Sequence, residues 1–162
     1  MLRKSDFYYG SLLSDLIGKG INPILLSSGE TRRIYSLCSN KGDFKVFTKY
    51  ISNPGTTKKT NQISWQFMFS TSEVMDIRNM KNSKDDFKVA LICACSKEWS
   101  KSEIAILSMD DLLGCLDADF AREQYQVTIM SKKHARNLYA YGTGKSFDKA
   151  LKLEREYSKY FI

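Results

Sequence analysis

The chain has one histidine, two prolines, four cysteines and no long apolar run, and each scarcity excludes something. With His134 alone, two-histidine chemistry is excluded. A Ser-His-Asp or Cys-His site would have to use that residue, which stands in Lys132-Lys133-His134-Ala135-Arg136 with no nucleophile pattern beside it. No apolar stretch approaches the roughly 20 residues of a spanning helix, so no membrane partner is expected. Cys38, Cys93, Cys95 and Cys115 fall at apolar positions inside expected strands and helices, as free thiols do when used as small core residues in a reducing compartment; the expectation is cytoplasmic. Cys93-x-Cys95 is not the two-residue knuckle that zinc favours, so no metal site is expected. Acidic residues are also short, with 18 against 25 lysines and arginines, for a formal charge of +7. The surplus points to a nucleic acid or the acidic face of a nucleic-acid-processing protein as partner.

At 162 residues the default is a single domain, 1–162, large enough to fold without staples. The N-terminus opens with basic residues as a secretory signal does. Asp6 and Asp15 interrupt its apolar part, however, and it reads as a helix of the domain, about residues 6–17, ended by Gly18 and Gly20.

The richest apolar stretch runs from Phe87 to Asp117. Its periodicity predicts a hairpin with two apolar faces, a tight turn near residues 98–100, and pairs Cys95 with Glu103, Cys93 with Ala105 and Leu91 with Leu107. Both faces being apolar, the hairpin belongs in the middle of a sheet. Ser108 then caps a helix with Asp110 and Asp111 in its first turn.

Upstream, Asn22-Pro23 turns the chain into an extended piece at 24–27, and a hairpin of about 32–38 and 44–51 follows. Ile63, Trp65, Phe67 and Phe69 alternate with polar residues as a one-sided strand does, and Ser70-x-x-Glu73 is a capping box opening a helix. Downstream, residues 125–131 and 137–141 predict a third hairpin, and Phe147, Ala150, Leu151 and Tyr157 predict a closing helix. The expected fold is α+β: a mostly antiparallel or mixed sheet built from three hairpins and packed by about four helices.

Gly142-Thr143-Gly144-Lys145-Ser146 lies between an expected strand and an expected helix, as a phosphate-binding loop does. A P-loop needs a glycine where Tyr139 stands, so hydrolysis of nucleotides is not expected. A weaker expectation remains, that free amides there hold one phosphate beside Lys145. Asp-Phe-Lys occurs at 43–45 and 86–88. Metal-dependent nucleases of the PD-(D/E)xK type need an acid-x-lysine pair and a second acid to hold magnesium and polarise water, which would make Asp86, Lys88 and Glu103 the catalytic set and Mg the cofactor.

The basic positions form the more coherent group. Lys45 and Lys49 lie on one hairpin, Lys58 and Lys59 in the polar stretch 52–61, Lys132, Lys133 and Arg136 at another hairpin tip, and Lys145 just after it. Tyr50, Tyr139 and Tyr141 stand near several of them, the mixture nucleic-acid surfaces use. The sequence therefore favours a small, basic, non-enzymatic binding or regulatory protein without a cofactor. The nuclease is the alternative. A second alternative is a protein-interaction subunit that docks through exposed aromatics such as Trp99.

Overall fold

The structure, a computed structural model, describes residues 1–55 and 61–161. Its layering follows from one strand with two apolar faces. In β5 (Phe87–Cys93), Val89, Leu91 and Cys93 point one way and Ala90 and Ile92 the other, and all five are buried. A strand of that kind must be covered on both sides.

Its sheet has five strands in the order β1-β2-β3-β5-β6: β1 (Asn22–Ser28), β2 (Arg33–Ser39), β3 (Gly42–Ile51) and β6 (Glu103–Ser108) complete it. All neighbours are antiparallel except β3 and β5, which run parallel. One face is covered by α1 (Lys4–Gly18), whose Tyr9, Leu12 and Leu16 pack with Leu37, Val46, Ala90 and Ile92. The chain's end returns to this face with Tyr157 and Phe161. On the other face lies a second antiparallel sheet, ordered β4-β7-β8-β9: β4 (Gln62–Ser70), β7 (Gln124–Lys132), β8 (Asn137–Gly142) and β9 (Leu151–Glu154). Its inner residues Trp65, Phe67, Phe69, Val127, Ile129 and Leu138 share one core with Phe47, Val89 and Leu91. Two helices complete that core, α2 (Thr71–Lys81) and α3 (Met109–Leu116).

The expected α+β class holds, in two sheets rather than one, with three α-helices among the described residues. The α2 capping box forms as its spacing predicts: Glu73 N–H donates to Ser70 Oγ at 3.2 Å and Ser70 N–H to Glu73 Oε2 at 2.9 Å. Ser108 caps α3 by accepting from Asp111 N–H at 3.0 Å.

Five expectations are corrected. The closing helix is absent: residues 147–149 make a single 3-10 turn and Leu151-Lys152-Leu153-Glu154 is β9, with Leu151 and Leu153 facing the core. Instead of three hairpins, five sequential antiparallel pairs form, because β1 and β9 also join their neighbours. The central hairpin pairs Cys93 with Glu103 and Leu91 with Ala105, two residues from the expected register. The turn is longer because Ala94 N–H donates to Ile51 O at 2.9 Å and Ala94 O accepts from Trp65 Nε1–H at 2.8 Å, so residue 94 serves other strands. Lastly, Cys93, Cys95 and Cys115 are buried but Cys38 is exposed, and β6 lies at a sheet edge instead of mid-sheet.

Candidate functional site

The β7–β8 hairpin tip, Lys133 to Arg136, joins the two strands at one end of the second sheet. Its turn closes by Ala135 N–H donating to Lys132 O at 3.1 Å and is tied to the start of β4 by Lys133 N–H donating to Asn61 O at 2.8 Å. His134 takes a left-handed backbone, φ 62°, and is exposed. Beside the tip is a cleft of about 580 Å³ whose rim includes Lys101, Lys132, Lys133 and His134, with Glu103 and Arg155 within it.

Arg155, just after β9, holds that end of the molecule together. Its guanidinium pairs with Glu103 of β6, donates to Ala135 O at 3.0 Å through Nε, and donates to Ser131 Oγ and Lys132 O, each at 3.1 Å, through Nη2. Glu103 stands at the end of an otherwise apolar face, and a carboxylate there needs a counter-charge. Arg155 supplies it and ties the first sheet to the second.

Lys132 joins the cleft to the outer face of the second sheet. Because β7 sends Val127 and Ile129 inward, Lys132 points outward on the opposite parity. Its ammonium lies 4.9 Å from the Tyr139 ring centroid and 5.2 Å from that of Phe147, and Phe147 meets Tyr141 edge-on at 5.4 Å. Lys152, exposed, is the strand partner of Tyr139. The result is two lysines, three partly exposed rings and a cleft in one place. Such a surface neutralises phosphates and offers flat faces for stacking.

The other predicted residues disperse. Lys45 pairs with Asp85 at the far end of β3. Lys49 is buried between the sheets: its ammonium bonds Met68 O at 2.6 Å and Glu73 at 2.9 and 3.1 Å, and Thr31 Oγ1–H also donates to Glu73 at 2.9 Å. Burial pushes the Glu73 carboxyl up, but the Ser70 N–H, Lys49 and Thr31 outweigh it and leave that carboxyl below its ordinary value. Lys49 is thus withdrawn from any binding surface. Arg136 is exposed at the tip, while Lys58 and Lys59 lie outside the described residues.

The glycine turn uses its own amides inside the fold. Gly142 N–H donates to Lys145 O at 2.9 Å, Thr143 N–H to Gln126 O at 3.2 Å, Gly144 N–H to Cys115 O at 2.9 Å and Lys145 N–H to Gly142 O at 3.3 Å. The amides of residues 142–145 are thus engaged within the fold. The glycines serve close packing on the end of α3: a Cβ at Gly142 would lie 2.7 Å from Cys115 O and one at Gly144 2.6 Å from Gly114 O. Lys145, half-buried, stands apart from the hairpin tip, near Cys115, whose thiol burial pushes up to about 11.

The nuclease residues also separate. Lys88 pairs with Ser108 and Cys93 with Glu103, so five residues of strand, about 16 Å at the usual rise, lie between the Asp86 end and Glu103. Lys88 lies 3.8 Å from Asp86 and Glu103 bonds Arg155. Among the described residues no group of three His, Cys, Asp or Glu side chains is placed to hold a metal ion.

Lys101, Arg155 and Phe147 were missed by sequence reasoning as neighbours of the hairpin tip. The Leu151-x-Leu153 alternation was the available signal, since a strand there delivers Arg155 to the sheet end. No family model matches this chain, and no curated protein or solved structure matches it.

Proposed function

We propose that this chain is a non-enzymatic binding protein that takes a single-stranded nucleic acid along the cleft beside the β7–β8 tip. The observation that carries this reading is Lys132: one ammonium, at the cleft mouth, lying over two rings, with Lys101, Lys133 and His134 around the same opening. Backbone phosphates meet the lysines and bases meet Tyr139, Tyr141 and Phe147. A duplex has no unstacked bases to offer those rings.

Anisotropy of a labelled 15-nucleotide single strand, titrated with protein between 50 and 200 mM salt, tests this. Affinity falls as salt rises, and Lys132→Ala and Lys133→Ala each weaken binding and lower the salt slope by about 1. Salt-independent binding, or none, overturns it.

A second reading, docking on another protein, is favoured by β1, where Ile24, Leu25 and Leu26 are each at least half exposed on a sheet edge. A partner recovered on immobilised protein after nuclease treatment, and lost in Leu25→Lys, distinguishes it.

A further inference from the structure

Behind the Glu103–Arg155 pair lies a second pocket of about 350 Å³ that the strand-binding reading does not use. Its floor is apolar, formed by Ile92, Ala94 and Ile104, and its wall is Trp99. The chain's two tryptophans contrast sharply: Trp65 is fully buried and bonded to Ala94 O, whereas Trp99 is 60% exposed.

Trp99 is also held. It opens a 3-10 turn in which Lys101 N–H donates to Glu98 O at 3.0 Å and Ser102 N–H to Trp99 O at 3.0 Å, and Cys95 N–H donates to Ser102 Oγ at 2.9 Å. Its ring stands 6.1 Å from Tyr8, which stacks on Tyr50 at 4.7 Å. An exposed tryptophan fixed this way loses little freedom when a flat ring meets it.

The charges define the occupant. The pocket's two carboxylates are already compensated, Asp15 by Lys19 at 3.0 Å and by the Tyr157 hydroxyl, Glu103 by Arg155, so the pocket does not call for a cation. Lys97 and Lys101 flank Trp99 in solvent, the latter within 2.7 Å of Glu98. Ser102 Oγ already accepts a bond, and its hydroxyl proton remains to be donated to a ring nitrogen or carbonyl. Glu103 and Arg155 line both the cleft and this pocket, so the two adjoin at that ion pair.

We infer that the Trp99 pocket takes one unstacked nucleobase of the strand held in the neighbouring cleft, stacked against the indole, with the adjoining phosphates toward Lys97 and Lys101. The inference rests on the strand-binding reading. The assignment deepens it by making recognition depend on a base, not on phosphate alone.

Two probes separate them: a twelve-nucleotide oligothymidylate and an abasic strand of the same length carrying the same phosphates. With Trp65 shielded in the core, a change in tryptophan emission reports Trp99. Oligothymidylate quenches that emission, and Trp99→Leu weakens its binding about tenfold, in keeping with one lost stacking contact. The abasic strand binds less tightly, leaves emission unchanged and is indifferent to Trp99→Leu. Trp99→Phe, which keeps a flat ring, retains most of the affinity and guards against a folding artefact. Oligothymidylate binding with unaltered emission and equal affinity in Trp99→Leu overturns the pocket assignment and leaves the cleft reading standing. If neither strand binds, the cleft reading falls and the pocket assignment falls with it.

Discussion

Lys49 and Lys132 both sit on strands with a buried apolar face, and the fold uses them in opposite ways. Lys49 points into the layer between the two sheets, where it brings its own counter-charge, Glu73, and a main-chain acceptor, Met68 O. Lys132 ends its strand at a cleft mouth and rests on two rings while remaining beside water. The chemistry is the same and the layer differs. A lysine enclosed by a second sheet becomes part of the core, and only one left at a strand end is available to a ligand. A basic surplus of +7 therefore overstates the binding surface, since Lys49 and Lys45 are paired with Glu73 and Asp85.

The largest test of that contrast is to truncate each lysine. Lys49→Met leaves Glu73 buried without its cation, and Glu73→Ala leaves Lys49 in the same position; each costs about 3 kcal/mol or more in urea denaturation. The double variant Lys49→Met/Glu73→Leu recovers most of that loss. Lys132→Ala costs below about 0.5 kcal/mol. Equal losses at the two lysines would remove the distinction.

Next in size is the glycine turn, which marks the same divide between packing and binding. Gly144→Ala forces a Cβ into Gly114 O and Asp117, and costs about 1–3 kcal/mol as overpacking does. Its affinity for the single strand stays that of the parent protein. A loss of affinity with no loss of stability would make the turn part of the binding surface.

A smaller effect appears with acid. Glu73's carboxyl is lowered in the folded protein, so its contribution is present above the ordinary value of about 4.3 and is lost as pH falls through the lowered value. Urea midpoints measured from neutral pH downward fall less steeply in Glu73→Gln over that window. Lys132→Ala leaves the acid limb as it was.

The smallest concerns the thiols. A thiol reagent modifies Cys38 first in the native protein because that residue is exposed, although Asp43 beside it holds its thiol above the ordinary value. Cys93, Cys95 and Cys115 wait for unfolding, because burial shields them and raises Cys93 and Cys115. Two fast thiols would mean that the inter-layer core opens.

What was legible depends on how local each signal is. Capping at Ser70 and Ser108 spans three residues, and the alternation of Trp65, Phe67 and Phe69 repeats every two. Those patterns act within one element, so neighbours in space cannot rewrite them. The β5–β6 register depended on Ala94 being taken by β3 and by Trp65, residues far away in sequence. Phe147, Ala150 and Leu151 carry a helical spacing, but Leu151 and Leu153 also alternate, and the open edge of β8 decided between them. Of the site, Lys132, Lys133 and Arg136 were readable as a run of charge at a turn, whereas Arg155, Lys101 and Phe147 reach it from separate elements.

By itself, then, the sequence determined the α+β class, the caps, the two-faced central strand and the basic hairpin tip, because these follow from short-range periodicity and charge. Only the tertiary structure decided which lysines face solvent, that the glycine turn spends its amides, that Glu103 meets Arg155, and that Trp99 borders a pocket. Each of those depends on which layer covers a residue, and covering is a property of chain segments brought together by burial of the same apolar faces.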